Sequence, residues 1–520
     1  MDVKTGKQAL HELFHNYHVE SFRKRFCFSD LMDYLHRDYD PRVCTIYGLR
    51  RTGKTTLMAQ AAAELRNPDS VCWIICGPDD EIQDVKNVIR NHPQCRYFFL
   101  DEATRLENFM DASSILADRY TAIENKRIVM AGTDSLGFHF AFGSELFDRT
   151  HIFHTTYIPY REYRYLLGDD KTIDAYIEYG GTLTDGKIFY HSDKTSGMDY
   201  ANDAIAENIF HSLEHYRGGG AFGALLPIYA SGELTTFIRK IVELDNRTFL
   251  AQTVNHMFRS HDMGVLRSNL TRDSSLDVDA SVLKNKDFLE DVRKALSIRE
   301  PLVHKADAQA IETVKDYLEA LDVIYVVPGT EGQTVIFSQP GLRYSQVEKE
   351  KKLLLESKYL KGFQETMRRD FARRLDETIK GRIMENIVFL DLTKNEEVSA
   401  RYQVTTYRNT LGTHEFDVVL FDKEKDDAIL LEVKHSDDFA PVYQARHLYD
   451  EDACAEFEQK TGMKIVGKGV VYRGDTRYYA AGIQYVSVDA MLEKPLLCIQ
   501  MLQNSWDSHV KKTIHRPKEH

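Results

Sequence analysis

Residues Gly48-Leu49-Arg50-Arg51-Thr52-Gly53-Lys54-Thr55-Thr56 constrain the fold of this chain more than any others. They satisfy the spacing G-x-x-x-x-G-K-[ST], follow the apolar run VCTIYG (43–48) and precede LMAQAAAEL, which reads as a helix. A strand, a glycine-bearing loop and a helix in that order aim backbone amides and a helix N-terminus at negative charge. Lys54 is then placed to reach β- and γ-phosphates, and the Thr55 hydroxyl to bind Mg²⁺. Gly48, Arg51, Thr52, Gly53 and Thr56 complete the candidate loop.

The apolar runs continue as VCWIICG (71–77), CRYFFLD (95–101), RIVMAGT (127–133) and HIFHTT (151–156). Short apolar strands alternating with helix-length segments imply an α/β fold, a parallel sheet with helices on its faces. CRYFFLD runs into Asp101-Glu102, an acidic pair expected at the tip of a strand neighbouring the loop's own. Asp101 is the candidate for the Mg²⁺ shell, through water, and Glu102 for polarising the attacking water. An acidic pair after a strand is otherwise an ordinary helix N-terminal feature. Thr133, ending the next run, is a candidate γ-phosphate sensor; a plain turn or helix cap competes with that reading. Arg149 is a candidate for completing the nucleotide site, in its own subunit or across a homo-oligomer interface. The competing reading pairs it with Glu145 or Asp148.

GLRRTGKTTL, FFLDEA, AGTDS, DRTHIFHTTYIPYREY and AYIEYGGTL together resemble the prokaryotic AAA-type ATPases that carry a C-terminal domain of unknown function. The resemblance covers most of residues 40–440 and is weakest over 182–300. It implies ATP binding and hydrolysis with Mg²⁺, a helix-rich winged-helix region, and a nuclease-like C-terminus.

The pattern along the chain divides into a polar, helical 1–42, the P-loop region 43–165 and a helical region 166–300. Next come 301–345, where a helix runs into two β-like pieces as in a winged helix, and a charged helix over 346–384. The chain closes with a small α/β region 385–500 and a basic tail 501–520. At roughly 150 residues per domain, 520 residues suggest three or four domains. Hydrophobic residues at 43% and charged residues at 28% are ordinary for a globular protein, so disorder is not the default expectation. The net charge of −13 argues against a protein coated for indiscriminate nucleic-acid binding. Seven cysteines, odd in number and mostly within apolar runs, suit reduced thiols and a cytoplasmic location. No run approaches the ~20 apolar residues of a membrane span, so no membrane partner is expected.

A second constellation lies in 385–500. Asp417 in EFDVVLFD and Glu432-Val433-Lys434 in AILLEVKHS set two carboxylates at the ends of adjacent strands, with a lysine on the same face as Glu432. Such carboxylates can share a divalent cation, a second Mg²⁺ or a Mn²⁺, while the lysine steadies phosphoryl charge. Glu385, in GRIMENIVFLDL, offers a third carboxylate. The order Glu, Asp, Glu-x-Lys is similar to the PD-(D/E)XK nuclease core. That resemblance implies Asp417 and Glu432 as metal ligands, Lys434 as catalytic, Glu385 as a ligand or supporting group, and DNA or RNA as partner. The alternative is an ATP-dependent switch or scaffold whose C-terminal domain binds nucleic acid or protein without cutting.

Other signals read as structure. His11-Glu12-Leu13-Phe14-His15 satisfies H-E-x-x-H, but no sheet precedes it and Ser21 stands where a third His could. Cys72 and Cys76 fall on one face of an apolar strand, and TTYIPYREYRYLLG reads as packing. Residues 346–384 hold eleven Lys/Arg and seven Asp/Glu, a local +4 against −17 for the rest. Arg368, Arg369, Arg373 and Arg374 form either a salt-bridged solvated face or a phosphate-backbone contact.

Overall fold

Alternation along each apolar run explains the first of the two compact units into which the chain packs. In the strand Val43–Tyr47, Val43 and Tyr47 face one buried layer, while Cys44 and Ile46 face the other. Both faces are therefore covered, as a parallel sheet requires. The structure, a computed structural model, describes residues 1–49, 51–107, 109, 113–132, 146, 148–181, 183, 191–192, 195–196, 224–259, 286–297, 308–329, 332–409, 414–479 and 481–514.

The strands are β1 (Asp2–Thr5), β2 (Val43–Tyr47), β3 (Val71–Ile75), β4 (Tyr97–Asp101), β5 (Arg127–Ala131) and β6 (Thr150–His154). They lie in the order β1-β3-β4-β5-β2-β6. β2 to β6 pair in parallel, and β1 alone runs antiparallel, against β3. Helix Ile82–Asn91 covers one face; helices Lys7–Asn16, Phe28–His36 and Lys54–Glu64 cover the other. Residues 1–42, read from sequence as helical, begin with the edge strand β1 and hold helices Lys7–Asn16 and Phe28–His36. Cys72 and Cys76 share one buried layer with Ile74, as their spacing implies. A short ladder, β7 (His191–Ser192) with β8 (Thr195–Ser196), follows.

The first unit comprises Met1–Lys171, Gly181–Val242 and Leu302–Ile324; the second comprises Thr172–Gly180, Glu243–Pro301 and Tyr325–His520. The helix Ala308–Ala320 is followed by strands β9 (Ile324–Gly329) and β10 (Gly332–Phe337), which pair with each other. The helix belongs to the first unit and nearly all of the strand pair to the second.

In the second unit the 30-residue helix Glu365–Lys394 leads into β11 (Tyr402–Arg408), β12 (Glu415–Asp422) and β13 (Asp427–Lys434), an antiparallel meander. Helix Glu451–Thr461 then crosses to β14 (Lys464–Tyr472), parallel to β13; β15 (Arg477–Tyr478) and β16 (Ile483–Ser487) complete the order β11-β12-β13-β14-β16-β15. Helix Pro495–Ile514 lies close on this sheet at Gly469, where a Cβ would stand 2.5 Å from Leu502 Cδ2. Among the described residues no helix is long and apolar enough to cross a membrane.

Candidate functional site

The loop after β2 is held from both sides. At Gly48, φ is +149°, and a Cβ would stand 2.5 Å from Thr155 Oγ1 and 2.8 Å from Thr156 N, so only glycine fits there. Leu49 N donates to Thr156 Oγ1 at 3.1 Å, and Thr52 Oγ1 donates to Leu49 O at 2.8 Å. Arg51 and Gly53 take left-handed φ values of 65° and 85°, which turn the backbone around the loop into helix Lys54–Glu64. Lys54 is buried, and its Nζ donates to the Gly48 and Leu49 carbonyls at 2.8 and 2.9 Å. Thr56 follows on the first turn.

Asp101 meets the loop across β5, which separates β4 from β2. The sequence expectation of a directly neighbouring strand is corrected here. The helix Lys54–Glu64 packs against both β5 and β4, and this brings Thr55 to the acid. Thr55 Oγ1 donates to Asp101 Oδ1 at 3.2 Å. Burial, then repulsion from Glu102, raises the Asp101 carboxyl to about 6; the Thr55 hydroxyl opposes the rise. Glu102 itself sits in the left-handed region (φ 57°), with its carboxylate 4.0 Å from Arg105 Nε. A hydroxyl and a carboxylate converging beside a phosphate-binding loop form a donor set of the kind Mg²⁺ takes.

Sequence reading missed a buried clamp beneath this loop. Arg25 Nε and Nη2 donate to Glu162 Oε1 and Oε2 at 2.6 and 3.0 Å, and Arg25 Nη1 donates to Thr52 O at 2.7 Å. Phe26 N donates to Glu162 Oε1 at 2.7 Å. A charged pair inside TTYIPYREYRYLLG and an arginine in 1–42 gave no local signal for this.

Arg149 is not brought to the loop. Its carbonyl accepts from Val43 N at 2.9 Å, which puts it at the start of β2, about 16 Å of strand from the loop at roughly 3.3 Å per residue. Its Nε donates to Asp118 Oδ1 at 2.7 Å, a carboxylate outside the two considered from sequence. Thr133 and Glu145 lie outside the described residues.

In the second unit the β12–β13 ladder ends at Val418↔Leu431, and a side chain takes over: Val433 N donates to Asp417 Oδ2 at 2.7 Å. Lys434 Nζ lies 3.3 Å from Asp417 Oδ2 and 2.6 Å from Glu432 Oε2, bridging the two carboxylates. Burial opposes the Lys434 charge, but Asp417, Glu432 and Glu385 outweigh it and hold the ammonium above its ordinary value. Burial and then the Asp417 charge push Glu432 to about 8, and the same two causes push Glu385 well above the carboxylate range. Glu432 Oε1 is buried and accepts no hydrogen bond. That orphaned oxygen, in a group of carboxyls raised by one another, suits a proton or a cation. Among the described residues, however, no group of three or more His, Cys, Asp or Glu side chains stands ready-made to hold a metal.

The basic helix face is largely neutralised within its own helix. Arg369 pairs with Glu365, Arg373 with Asp370 and Glu377, and the buried Arg374 with Asp370. The salt-bridged reading is the one these pairs favour.

No curated protein matches this chain. Residues 40–164, which hold the loop, Asp101 and β2 to β6, match the family model of an AAA domain, and that match supports an AAA-type P-loop ATPase for this part of the chain.

Proposed function

We propose that this chain is an ATPase whose nucleotide state governs a nuclease-like module acting on DNA or RNA. The observation that carries the second half is Lys434 bridging Asp417 and Glu432 at the ends of adjacent strands, in one chain with a phosphate loop. The order helix, three antiparallel strands, helix, parallel strand supports a PD-(D/E)XK-like core.

At the loop, backbone amides and Lys54 bind the phosphates, and Glu102 orients the attacking water and takes its proton. Thr55, and Asp101 through water, would hold Mg²⁺, which when bound neutralises phosphate charge. At the carboxylates, Asp417 and Glu432, with Glu385 beside them, would hold a second Mg²⁺ or a Mn²⁺. Lys434 steadies the charge that develops on a scissile phosphate. Arg149, at the far end of β2 and paired with Asp118, has no part in its own subunit's nucleotide site; a part in a neighbour's, across a homo-oligomer interface, is the alternative to a plain ion pair.

Lys54→Ala and Glu102→Gln are expected to abolish ATP turnover. Asp417→Ala and Lys434→Ala are expected to leave turnover intact and to stop cleavage of DNA or RNA in Mg²⁺ or Mn²⁺. Normal hydrolysis by the Lys54 variant would falsify the ATPase half. The lack of a ready-made metal group among the described residues favours a second reading, a switch or scaffold whose C-terminal domain binds nucleic acid or protein without cutting. That reading wins if no substrate is cut while ATP still alters binding.

A further inference from the structure

Two buried polar atoms of the second unit lack a protein partner, and they stand on one row of its sheet. In the register of β13, β14 and β16, Glu432 lies beside Val470, and Val470 beside Tyr485. Residues in register on neighbouring parallel strands point to the same face. The next row on that face is Lys434, Tyr472 and Ser487. At about 4.8 Å between strands, the Glu432 and Tyr485 backbones are roughly 10 Å apart. Val470 carries only methyl groups, so the two long side chains of the row flank a short one, and each has a polar tip.

Glu432 and Tyr485 are 2% and 0% exposed. Lys434 takes Glu432 Oε2, and Oε1 is left without a donor. Among the described residues the Tyr485 hydroxyl has no hydrogen-bond partner either. The rings around Tyr485 explain its burial but not its hydroxyl. Phe439 meets its ring edge-on at 4.7 Å, Tyr472 at 5.2 Å and Tyr479 at 6.1 Å. Tyr472, by contrast, donates its hydroxyl to Asp475 O. Burial, then the Tyr479 phenol, pushes the Tyr485 hydroxyl well above its ordinary value, so it keeps its proton. Lys434 opposes that rise and Glu432 adds to it, so the charges of the carboxylate site reach this phenol. A phenol buried without a partner is less stable than phenylalanine in its place, unless a ligand accepts its hydrogen bond.

We propose that Tyr485 belongs to the carboxylate site, and that its hydroxyl donates to a water in the shell of a divalent cation held by Asp417 and Glu432. The inference rests on the cation-binding part of the reading above. Glu432 Oε1 then gains the positive partner it lacks, and the Tyr485 hydroxyl the acceptor it lacks. A neutral donor orients a bound water without repelling the cation, as another ammonium beside Lys434 would.

Calorimetric titration of the full chain with Mn²⁺ tests this, with melting temperature read beside it. Nucleotide is left out, so that the phosphate loop brings no metal–nucleotide complex of its own. The wild type is expected to bind Mn²⁺, and Glu432→Gln to lose that binding. Tyr485→Phe is expected to melt no lower than wild type without metal and to bind Mn²⁺ at least about tenfold more weakly. Tyr472→Phe gives up a hydrogen bond already made, so it is expected to melt lower without metal and to bind Mn²⁺ as the wild type does. Three results overturn the inference while the cation reading stands. Tyr485→Phe binds as tightly as wild type; or it melts lower without metal, because its hydroxyl already has a protein partner; or Tyr472→Phe weakens binding equally, which makes the loss a packing effect. No binding by the wild type, or unchanged binding by Glu432→Gln, overturns the cation reading and the inference with it.

Discussion

Arg25 offers a quantitative test of how the phosphate loop is held. Its guanidinium and the Glu162 carboxylate are 6% and 3% exposed and meet through two hydrogen bonds of 2.6 and 3.0 Å. Arg25→Met leaves Glu162 charged and buried, with the Phe26 amide as its remaining donor at 2.7 Å. Breaking one side of a buried pair costs about 3–5 kcal/mol, and the surviving amide puts this case near the lower end. Glu162→Gln should cost less, because the guanidinium keeps the Thr52, Thr155 and Tyr157 carbonyls as acceptors. The double variant should cost far less than the sum, with a coupling of about 2 kcal/mol. Trp73, stacked on Phe99 at 5.7 Å in the same unit, reports unfolding by fluorescence in a Trp506→Phe background. Arg25→Met should also weaken ATP binding about tenfold, because the Thr52 carbonyl loses a charged donor. Single variants within about 0.5 kcal/mol of wild type, adding without coupling, would refute the clamp.

Two further predictions concern pH and metal. Asp101 is raised from 3.8 to about 6, so the nucleotide-free fold favours its neutral form. The benefit is complete below about pH 4 and is lost as pH rises through about 6, a fall of about 3 kcal/mol. Urea midpoints across that window should flatten in Asp101→Asn; an unchanged slope sinks the account. Glu432, raised to about 8, should exchange its proton for a cation. Mg²⁺ or Mn²⁺ should therefore raise the melting temperature more at about pH 8.5 than at about pH 6, and Glu432→Gln should remove the difference. Equal shifts at both pH values would rule out Glu432 as a ligand.

What was legible in the sequence was local. The apolar runs 43–48, 71–77, 95–101 and 127–133 became β2, β3, β4 and β5 because strands buried on both faces need continuous apolar residues. Glu432 and Lys434 were found together because side chains two apart on a strand share a face. The edge strand β1 escaped because Asp2–Thr5 offers only Val3 as an apolar residue. Arg25 and Glu162 lie 137 positions apart, and no periodicity connects them. The order of strands was also out of reach: nothing in CRYFFLDEA says that β5 will stand between Asp101 and the loop it serves.

The chain passes from one compact unit to the other after Lys171, Gly180, Val242, Pro301 and Ile324. During synthesis, Ile173, Tyr176 and Ile177 emerge long before helices Pro340–Leu355 and Glu365–Lys394, against which their own helix packs, so these buried side chains must wait uncovered. A fragment begun at 385 leaves those side chains behind, whereas a cut after 164 keeps them with the rest of their unit.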